Sequence, residues 1–406
     1  MRVLLIGSGG REHALAWKLS QSPRLTELHA APGNPGIAQL GECHPVRAED
    51  GEGLLDLAHT LPADLVVVGP EAPLVGGVAD ELRHAGVAVF GPSKDAARIE
   101  GSKSFAKDVM RTAGIPTAET MSVARPPCVL KVDGLAAGKG VFVCLDEPSL
   151  DSALKATAAL GQPLVIEELL HGEELSLFAL ADGQNVVPLA PARDFKRVGD
   201  FDSGPNTGGM GAYSPVSEVG AAEIEELLET VHRPALAELA RRGSTFVGLL
   251  YAGLMLTGDG PKVLEFNCRF GDPETQSILP RVRGDLVEAL LAAATGDLLS
   301  SSLTADDAAC VTVVLAGREY PARSDSGTPI AGVEEAEATG ALVFHAGTAI
   351  QGGKLVTNGG RVLNVTALGP SLDEARQRAY AACDLISFEG MRFRRDIASP
   401  PVDVAT

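Results

Sequence analysis

The sequence predicts a protein of several domains, of mixed α/β and α+β class, with an N-terminal doubly wound parallel sheet and a small C-terminal α+β domain. Its 406 residues are too many for one ordinary domain. Short apolar strands alternate with helical patterns over residues 1–101, which is typical of a doubly wound sheet. From about Ala309, short alternating strands with Asn-Gly and Gly-Gly turns precede one helix over residues 372–386, which indicates the α+β domain.

Composition and charge favour a cytoplasmic protein that acts on small molecules. The formal net charge of −19 disfavours non-specific binding to nucleic acid or to an anionic membrane. The six cysteines have no CxxC spacing, which is typical of a reduced protein. No stretch approaches the ~18 uninterrupted apolar residues of a membrane helix. A few local arginines could still bind an anionic substrate.

The first strand runs into a glycine-rich turn that contains Gly9, Gly10 and Arg11. The backbone amides of such a turn, with a helix N-terminus behind them, can bind a phosphate. A dinucleotide fingerprint is disfavoured, because Glu12 stands where a third glycine is required and no acid follows near residues 28–34. The turn is therefore predicted to bind a phosphate but not NAD. A simple tight turn is the alternative.

Two further strand ends point to the same ligand. Asn34 follows the second predicted strand, and Glu71 follows the strand at residues 64–69. Ligands of open parallel sheets gather at the carboxyl ends of the strands. We therefore expect Asn34 and Glu71 to contact the ligand of Gly9 and Gly10, although Glu71 could instead be a favourable charge at a helix N-terminus.

The central part contains a second glycine-rich segment, at residues 134–141, between two predicted strands. Its Lys139 could neutralise nucleotide phosphates, but it is not a Walker A loop, because Gly140 stands where Ser or Thr is required. A later strand leads into the acidic segment at residues 167–174. That segment suits recognition of adenine and ribose, and an acidic surface loop is the alternative.

Residues 204–215 contain four glycines and two prolines, which argues against a helix or a central strand. A loop of this length in a compact protein is usually functional. The next feature is a predicted hairpin, with one strand at residues 246–256 and the other beginning at Val263. These strands are joined through Gly258 and Gly260.

Alternation along the second hairpin strand places Glu265, Asn267 and Arg269 on one face. The other face is apolar and is predicted to consist of Leu264, Phe266, Cys268 and Phe270. A carboxylate and an amide oxygen two residues apart can bind a hard cation. A neighbouring arginine can bind a phosphate or carboxylate. The alternative is an edge strand with a solvated polar face.

Taken together, these motifs resemble the phosphoribosylamine–glycine ligase (glycinamide ribonucleotide synthetase) family of the ATP-grasp superfamily. The matching stretches run in the same order along nearly the whole chain. They include GSGGREHALAWK at residues 7–18, KVDGLAAGKGV at 131–141, EELLHGEE at 167–174, GPNTGGMGAYSP at 204–215 and EFNCRFGDPETQ at 265–276.

The resemblance implies four structural parts and an ATP-dependent ligation. The parts are an N-terminal domain (1–101), an ATP-grasp core (102–121 and 185–306), a small lid (122–184) and a C-terminal domain (307–406). ATP would phosphorylate glycine, and 5-phosphoribosylamine would attack the glycyl phosphate, which yields glycinamide ribonucleotide, ADP and phosphate. Phosphoryl transfer needs positioning and charge neutralisation more than a protein nucleophile.

The resemblance also implies a role for each site residue. Mg²⁺ or Mn²⁺ would bind Glu265 and Asn267, and Arg269 and Asp194 would be catalytic. ATP would contact Lys103, Lys131, Gly138, Lys139, Gly140, Glu167, Glu168, Leu170 and Glu174. The other substrates would contact Gly9, Gly10, Arg11, Asn34, Glu71, Asn206, Thr207, Gly208 and Gly209. Whether Arg269 contacts glycine, the acyl phosphate or ATP stays open.

The lid departs from the family pattern. Helices usually flank the segment corresponding to residues 131–141, but here only about ten residues precede it and about twenty follow it, so the lid is expected to be trimmed. We expect a monomer. Another ATP-grasp ligase or carboxylase of purine metabolism is the alternative, and the GPNTGGMGAYSP loop argues against it. A non-catalytic nucleotide-binding regulator is disfavoured, because the metal ligands and loop lysines are retained.

Overall fold

The computed structural model describes residues 1–135, 140–158 and 161–399. Its N-terminal part is a five-stranded parallel sheet, as predicted. The strands lie in the order Glu42–Cys43, Glu27–Pro32, Arg2–Gly7, Leu65–Val68 and Val89–Phe90. The helices of this part are Gly10–Leu19, Gly51–Thr60, Glu71–Gly76, Val78–His84 and Lys94–Gly101.

Both faces of this sheet are covered, because alternate residues of its strands belong to two different apolar clusters. Leu4 and Val66 pack with residues of the helices Gly51–Thr60 and Val78–His84. Their neighbours in the strands belong to the second cluster, with residues of Gly10–Leu19 and of the later helix Leu286–Thr295. This is the doubly wound arrangement that the alternation of strands and helices predicts.

The central part contains two antiparallel sheets. One has four strands in the order Val186–Pro188, Glu173–Asp182, Val247–Thr257 and Gly260–Asn267, so the predicted hairpin is confirmed. The other has three strands in the order Val141–Cys144, Cys128–Val132 and Leu164–Glu168. The helix Glu147–Ala158 covers this small sheet through Leu150 and Ala153, and the chain from Gly114 to Pro127 contains no helix.

The C-terminal part is α+β, as predicted, and it incorporates an unexpected strand. Its larger sheet has the order Arg193–Asp194, Gly211–Ser214, Ala309–Ala316, Arg361–Gly369 and Leu342–His345. The prediction that residues 204–215 contain no central strand is therefore wrong for Gly211–Ser214. Gly211 permits this pairing, because a side-chain Cβ there would lie 2.7 Å from the Thr312 carbonyl oxygen.

The remaining elements connect these sheets. A second C-terminal sheet contains the strands Asp325–Pro329, Lys354–Gly359 and Thr348–Gln351, and short strand pairs join Arg197–Gly199 to Ser203–Asn206 and Val282–Arg283 to Thr304–Ala305. The other helices are Lys103–Ala113, Ala221–Leu227, Arg233–Arg241, Glu274–Ile278, Leu286–Thr295, Val333–Glu337 and Leu372–Cys383. Within the described ranges, no helix combines the length and apolar character needed to cross a membrane.

The hairpin strand that bears Glu265 has a bulge. Gly253 is paired with Glu265, but the next residue, Leu254, is paired with Val263, so Leu264 is the extra residue. Val263 and Phe266 both belong to the apolar core. The prediction that Leu264 also belongs to that core is wrong, because the bulge breaks the alternation and Leu264 lines a cavity instead.

Candidate active site

A cavity of about 720 Å³ brings together most of the predicted site residues. Its lining includes Arg11, Glu71, Lys103, Lys131, Gly140, Glu167, Glu168, Leu170, Glu174, Asp194, Asn206, Thr207, Gly208, Glu265, Asn267 and Arg269. These residues come from the N-terminal domain, the small three-stranded sheet, the glycine-rich segment and the hairpin. Motifs that are far apart in the sequence therefore line one cavity.

A second cavity of about 590 Å³ lies beside the first and is lined by Gly9 and Asn34. Asp272 and Arg361 line both cavities, so they form a shared wall. Arg361 donates hydrogen bonds from Nη1 to the carbonyl oxygens of Gly208, at 2.5 Å, and Asp272, at 2.7 Å. Its Nη2 atom lies 3.1 Å from the Asp272 carboxylate.

Among the described residues, two of the predicted site residues, Gly10 and Gly209, lie in neither lining. Gly138 and Lys139 are outside the described residues. Gly10 has no room for a side chain, because a Cβ there would lie 2.2 Å from Asn364 Nδ2. Gly209 has a positive φ of 110° and lies under Pro273, so packing explains this glycine too.

Asn34 lines the second cavity, but both ends of its side-chain amide already have protein partners. Its Nδ2 donates to the carbonyl oxygens of Ser8, at 2.8 Å, and His345, at 2.9 Å. Its Oδ1 accepts from the backbone amides of Gly36 and Ile37, both at 2.9 Å. The side chain therefore shapes the turn and links the N-terminal part to the C-terminal part.

Glu167 binds two lysines in the first cavity. Its carboxylate lies 2.7 Å from Lys131 Nζ and 2.8 Å from Lys107 Nζ, and only 2% of the residue is exposed. Lys131 also donates to the carbonyl oxygen of the bulged Leu264 at 2.8 Å. Contact of Glu167 with the nucleotide stays a prediction, and the structure adds that this carboxylate positions two lysines. Lys107 was not identified from the sequence.

Other predicted ATP contacts are also held in place by protein partners. Lys103 Nζ donates to the Gly134 carbonyl oxygen at 2.9 Å, and burial lowers the pKa of this lysine although Glu265 opposes the shift. Glu168 lies 3.0 Å from Lys262 Nζ and accepts from the Glu119 amide at 3.0 Å. The apolar side chains of Val129, Val143, Met255 and Leu264 also line the first cavity.

Glu265 and Asn267 face the cavity from the hairpin. Glu265 stands opposite Gly253, where a Cβ would lie 3.3 Å from Glu265 Cγ, so the glycine leaves this carboxylate space. Asn267 is 9% exposed, and its Oδ1 accepts from Arg269 Nη2 at 3.3 Å. Carboxylate and amide oxygens are the ligands that Mg²⁺ and Mn²⁺ prefer, so this pair fits a hard cation.

Arg269 is the centre of a buried charge cluster. Its guanidinium lies 2.9 Å from Glu100 and 3.3 Å from Glu71. Burial opposes its charge, but Glu100 and Glu71 outweigh burial and raise the pKa of Arg269. Burial would raise the pKa of Glu71, but Arg269 and Arg11 lower it to about 2. Both groups are therefore charged at any ordinary pH.

A second cluster surrounds Lys196, which was not identified from the sequence. Its Nζ lies 3.0 Å from Asp194 and also contacts Glu174. Burial opposes the lysine charge, but these two carboxylates raise its pKa well above the ordinary value. Glu274 lines the same cavity, and burial together with the charge of Asp194 raises its pKa to about 7. Its signal in the sequence was membership of the EFNCRFGDPETQ motif.

Comparison with known proteins identifies the family. Models described as the N, ATP-grasp (A) and C domains of phosphoribosylglycinamide synthetase match residues 1–100, 101–275 and 310–400. The chain is 52% identical to the Phosphoribosylamine–glycine ligase of Streptomyces coelicolor, over 98% of this chain and 99% of that protein. It is 50% identical to the protein of the same name from Rhizobium meliloti, over 98% of each.

Solved structures agree with this result. A crystal structure of Phosphoribosylamine–glycine ligase from Thermotoga maritima has a TM-score of 0.82 at 37% identity, over 98% of this chain and 100% of that chain. A biotin carboxylase domain from Hydrogenobacter thermophilus has a TM-score of 0.69 at 16% identity, which shows a shared fold alone. The chain therefore belongs to the phosphoribosylglycinamide synthetase family and has its three-domain architecture, with an ATP-grasp domain at the centre.

Proposed function

We propose that this protein ligates glycine to 5-phosphoribosylamine at the expense of ATP, through glycyl phosphate, and forms glycinamide ribonucleotide, ADP and phosphate. The observation that carries the proposal is the pair of adjoining cavities that share Asp272 and Arg361. One cavity has lysines and cation ligands for a nucleotide. The other has a glycine turn at a helix N-terminus, which suits a phosphate.

The nucleotide occupies the larger cavity in this proposal. Its adenine lies against the apolar wall of Val129, Val143 and Leu264, and its phosphates meet Lys103, Lys131 and the glycine-rich segment that ends at Gly140. Glu265 and Asn267 hold Mg²⁺ or Mn²⁺. When bound, that cation neutralises charge on the phosphates. Gly138 and Lys139 remain predicted phosphate contacts, and Glu168, Leu170 and Glu174 remain predicted nucleotide contacts.

The other substrates lie between the two cavities. Glycine and its acyl phosphate face Arg269 and residues 206–208. The phosphoribosylamine lies along the Gly9 turn with its amine directed toward Asp194 and Glu71. Because Arg269 is held by Glu71 and Glu100, the protein supplies a fixed positive charge that need not reorganise when negative charge develops on the substrate.

The finer organisation follows the sequence prediction except for one strand. We propose a core of residues 102–121 and 185–306 and flanking domains of residues 1–101 and 307–406. The predicted lid of residues 122–184 has one helix among its described residues, Glu147–Ala158, but its last strand, Glu173–Asp182, pairs with Val247–Thr257. We therefore place that strand with the core. We further propose that the protein acts as a monomer in the cytoplasm, on small molecules and without binding nucleic acid or a membrane.

An omission assay tests the reaction. Phosphate release from ATP should require both glycine and 5-phosphoribosylamine. Glu265→Gln should lower the rate by about 100-fold or more, because a cation ligand is lost. Asp259→Asn is the matched control, since this carboxylate lies on the exposed turn of the same hairpin. Release that persists without glycine, or with bicarbonate in its place, would indicate a different ATP-grasp ligase or carboxylase.

A further inference from the structure

A cluster of two histidines and a glutamate lies at the edge of the N-terminal sheet. His29 belongs to the strand Glu27–Pro32, and the parallel pairing places it beside Glu42 of the edge strand. His44 follows that edge strand directly. One ligand atom from each of His29, Glu42 and His44 can be chosen so that all three lie within 4.8 Å of one another.

The distances match those between ligands of one small metal ion. His29 Nδ1 lies 3.1 Å from His44 Nε2 and 3.8 Å from Glu42 Oε2. Zinc binds histidine nitrogen at about 2.0–2.1 Å, so two nitrogens of a tetrahedral site lie about 3.4 Å apart. Two imidazoles and one carboxylate form a donor set that favours zinc over magnesium.

The surroundings of His29 support the same conclusion. Its other ring nitrogen, Nε2, lies 3.4 Å from Glu27 Oε2, and Glu27 in turn accepts from Arg2 Nε at 3.0 Å. Histidines that bind metals usually donate their second N–H group to a carboxylate, which orients the ring. His29 is 6% exposed, whereas the Glu42 side chain is 69% exposed, so an ion can enter from solvent.

We propose that His29, Glu42 and His44 bind one Zn²⁺ ion, with water in the fourth position. The ion joins the two-residue edge strand Glu42–Cys43 to its neighbour. Cys43 lies directly beneath Gly33, where a Cβ would lie 2.3 Å from the cysteine sulfur. Gly33 lines the second cavity. By fixing the strand that packs against Gly33, the ion stabilises one wall of that cavity without contacting a ligand inside it.

Zinc titration of the full-length protein tests the proposal. The protein is stripped with a chelator, kept reduced and titrated calorimetrically with Zn²⁺ in excess Mg²⁺, which occupies hard-cation ligands. His44→Gln and Glu42→Gln should each lose one equivalent of tight Zn²⁺ binding. Glu27→Gln should retain the site with affinity reduced about 10- to 100-fold. His59→Gln is the control, since His59 is an exposed histidine of a helix in the same domain.

A second readout is thermal unfolding. Zn²⁺ should raise the melting temperature of the wild-type protein and of His59→Gln more than that of His44→Gln, because an ion that binds only the folded state stabilises it. Equal Zn²⁺ stoichiometry in the wild type and in Glu42→Gln and His44→Gln would overturn the proposal. So would the absence of a tight equivalent in the wild type, which would leave a plain hydrogen bond between the two histidines.

Discussion

The carboxylate of Glu167 illustrates how a single buried residue positions the chemistry of others. It lies between Lys131 and Lys107, and the three side chains are largely buried. Two lysine charges in this environment require a nearby anion, since burial of an unpaired ammonium group is costly. In the proposed nucleotide complex, the phosphates would add negative charge near Lys131, and Glu167 would keep that lysine oriented with and without the nucleotide.

Replacement of this carboxylate should destabilise the protein. Glu167→Gln leaves two buried lysines without their anion, and we expect a loss of about 3–5 kcal/mol in the free energy of unfolding. Urea denaturation measures it. Glu168→Gln is the control, because its carboxylate is 35% exposed and binds one partly exposed lysine, for which about 0–1 kcal/mol is expected. Equal losses in the two variants would contradict the role assigned to Glu167.

Residue types alone could not reveal this role. An acidic residue at a strand end is compatible with ribose binding, with a surface loop and with an internal ion pair. The choice depends on Lys107, which lies far away in the sequence and approaches only through the packing of the helix Lys103–Ala113. The same holds for Arg269, whose partners Glu71 and Glu100 come from a different domain. Side-chain alternation along a strand correctly placed Glu265 and Asn267 on the same side, where both line the cavity, because that signal is local.

At the scale of elements, the short helical turn Asp200–Asp202, just before the loop predicted at residues 204–215, is held by residues near the C-terminal end of the described chain. Phe201 and Asp202 have positive φ values of 54° and 52°, which are unfavourable for residues other than glycine. The Phe201 amide donates to Asp396 at 2.8 Å, and the Asp202 carboxylate lies 2.8 Å from Arg394. Arg394 also binds Asp396 at 2.6 Å and is 1% exposed.

Loss of Arg394 should weaken the attachment of the turn Asp200–Asp202 to the C-terminal part. Arg394→Met leaves Asp396 without its buried partner, and we expect about 3 kcal/mol of lost stability together with a raised KM for glycine. Unfolding in urea and steady-state kinetics measure the two effects. Arg395→Met is the matched control, because Arg395 and its partner Asp384 are both more than half exposed. An unchanged KM in Arg394→Met would show that the contacts of Arg394 with Asp202 and Asp396 do not influence glycine binding.

Two features of the strands could not be predicted from the local sequence pattern. The strand Gly211–Ser214 forms because neighbouring strands from distant sequence positions pair on both sides of it, and composition argued against it. The bulge at Leu264 depends on the register with the strand Val247–Thr257. Both features arise from long-range pairing, whereas the turn around Gly258 and Gly260 was predictable from its own residues.

At the scale of the molecule, the N-terminal and C-terminal parts meet through two buried histidines. The His345 amide donates to His13 Nδ1 at 2.8 Å, and the two rings lie 5.6 Å apart in an edge-on arrangement. Burial lowers the pKa of His13 to about 3, with a contribution from His345, and burial lowers that of His345 to about 4. Both are therefore neutral in the folded protein at pH values where an exposed histidine is charged.

Acid should consequently weaken the protein over a defined pH range. Because the folded-state pKa values lie below the ordinary value of about 6.5, the stabilising contribution is complete above pH ~6.5 and is lost as the pH falls toward 4. Each histidine contributes a slope of about 1.4 kcal/mol per pH unit in that range. Urea unfolding from pH 7.5 to 4.5 measures it. His13→Asn should reduce the slope, and the exposed His84→Asn should not.

The domain order was predictable because it follows from local periodicity and from motifs that run in sequence. The joint between the N-terminal and C-terminal parts was not. Nothing near His13 in the sequence indicates a partner more than three hundred residues away, and the contacts of Asn34 with His345 are equally remote. Surfaces between domains depend on the docking of complete sheets, which no single segment encodes.

The second cavity also has a consequence for the synthesis of the protein. Its walls come from residues 8–34 and 272 and from residues 320–361. At about 5–20 residues per second, roughly 20 to 60 s separate the translation of Asn34 from that of Arg361. A ribosome-bound chain can therefore fold its first sheet early, but the second cavity is complete only after residues 320–361 have been translated. If the two cavities hold the reactants as proposed, only a nearly finished chain can bind both, and catalytic activity is expected late in translation.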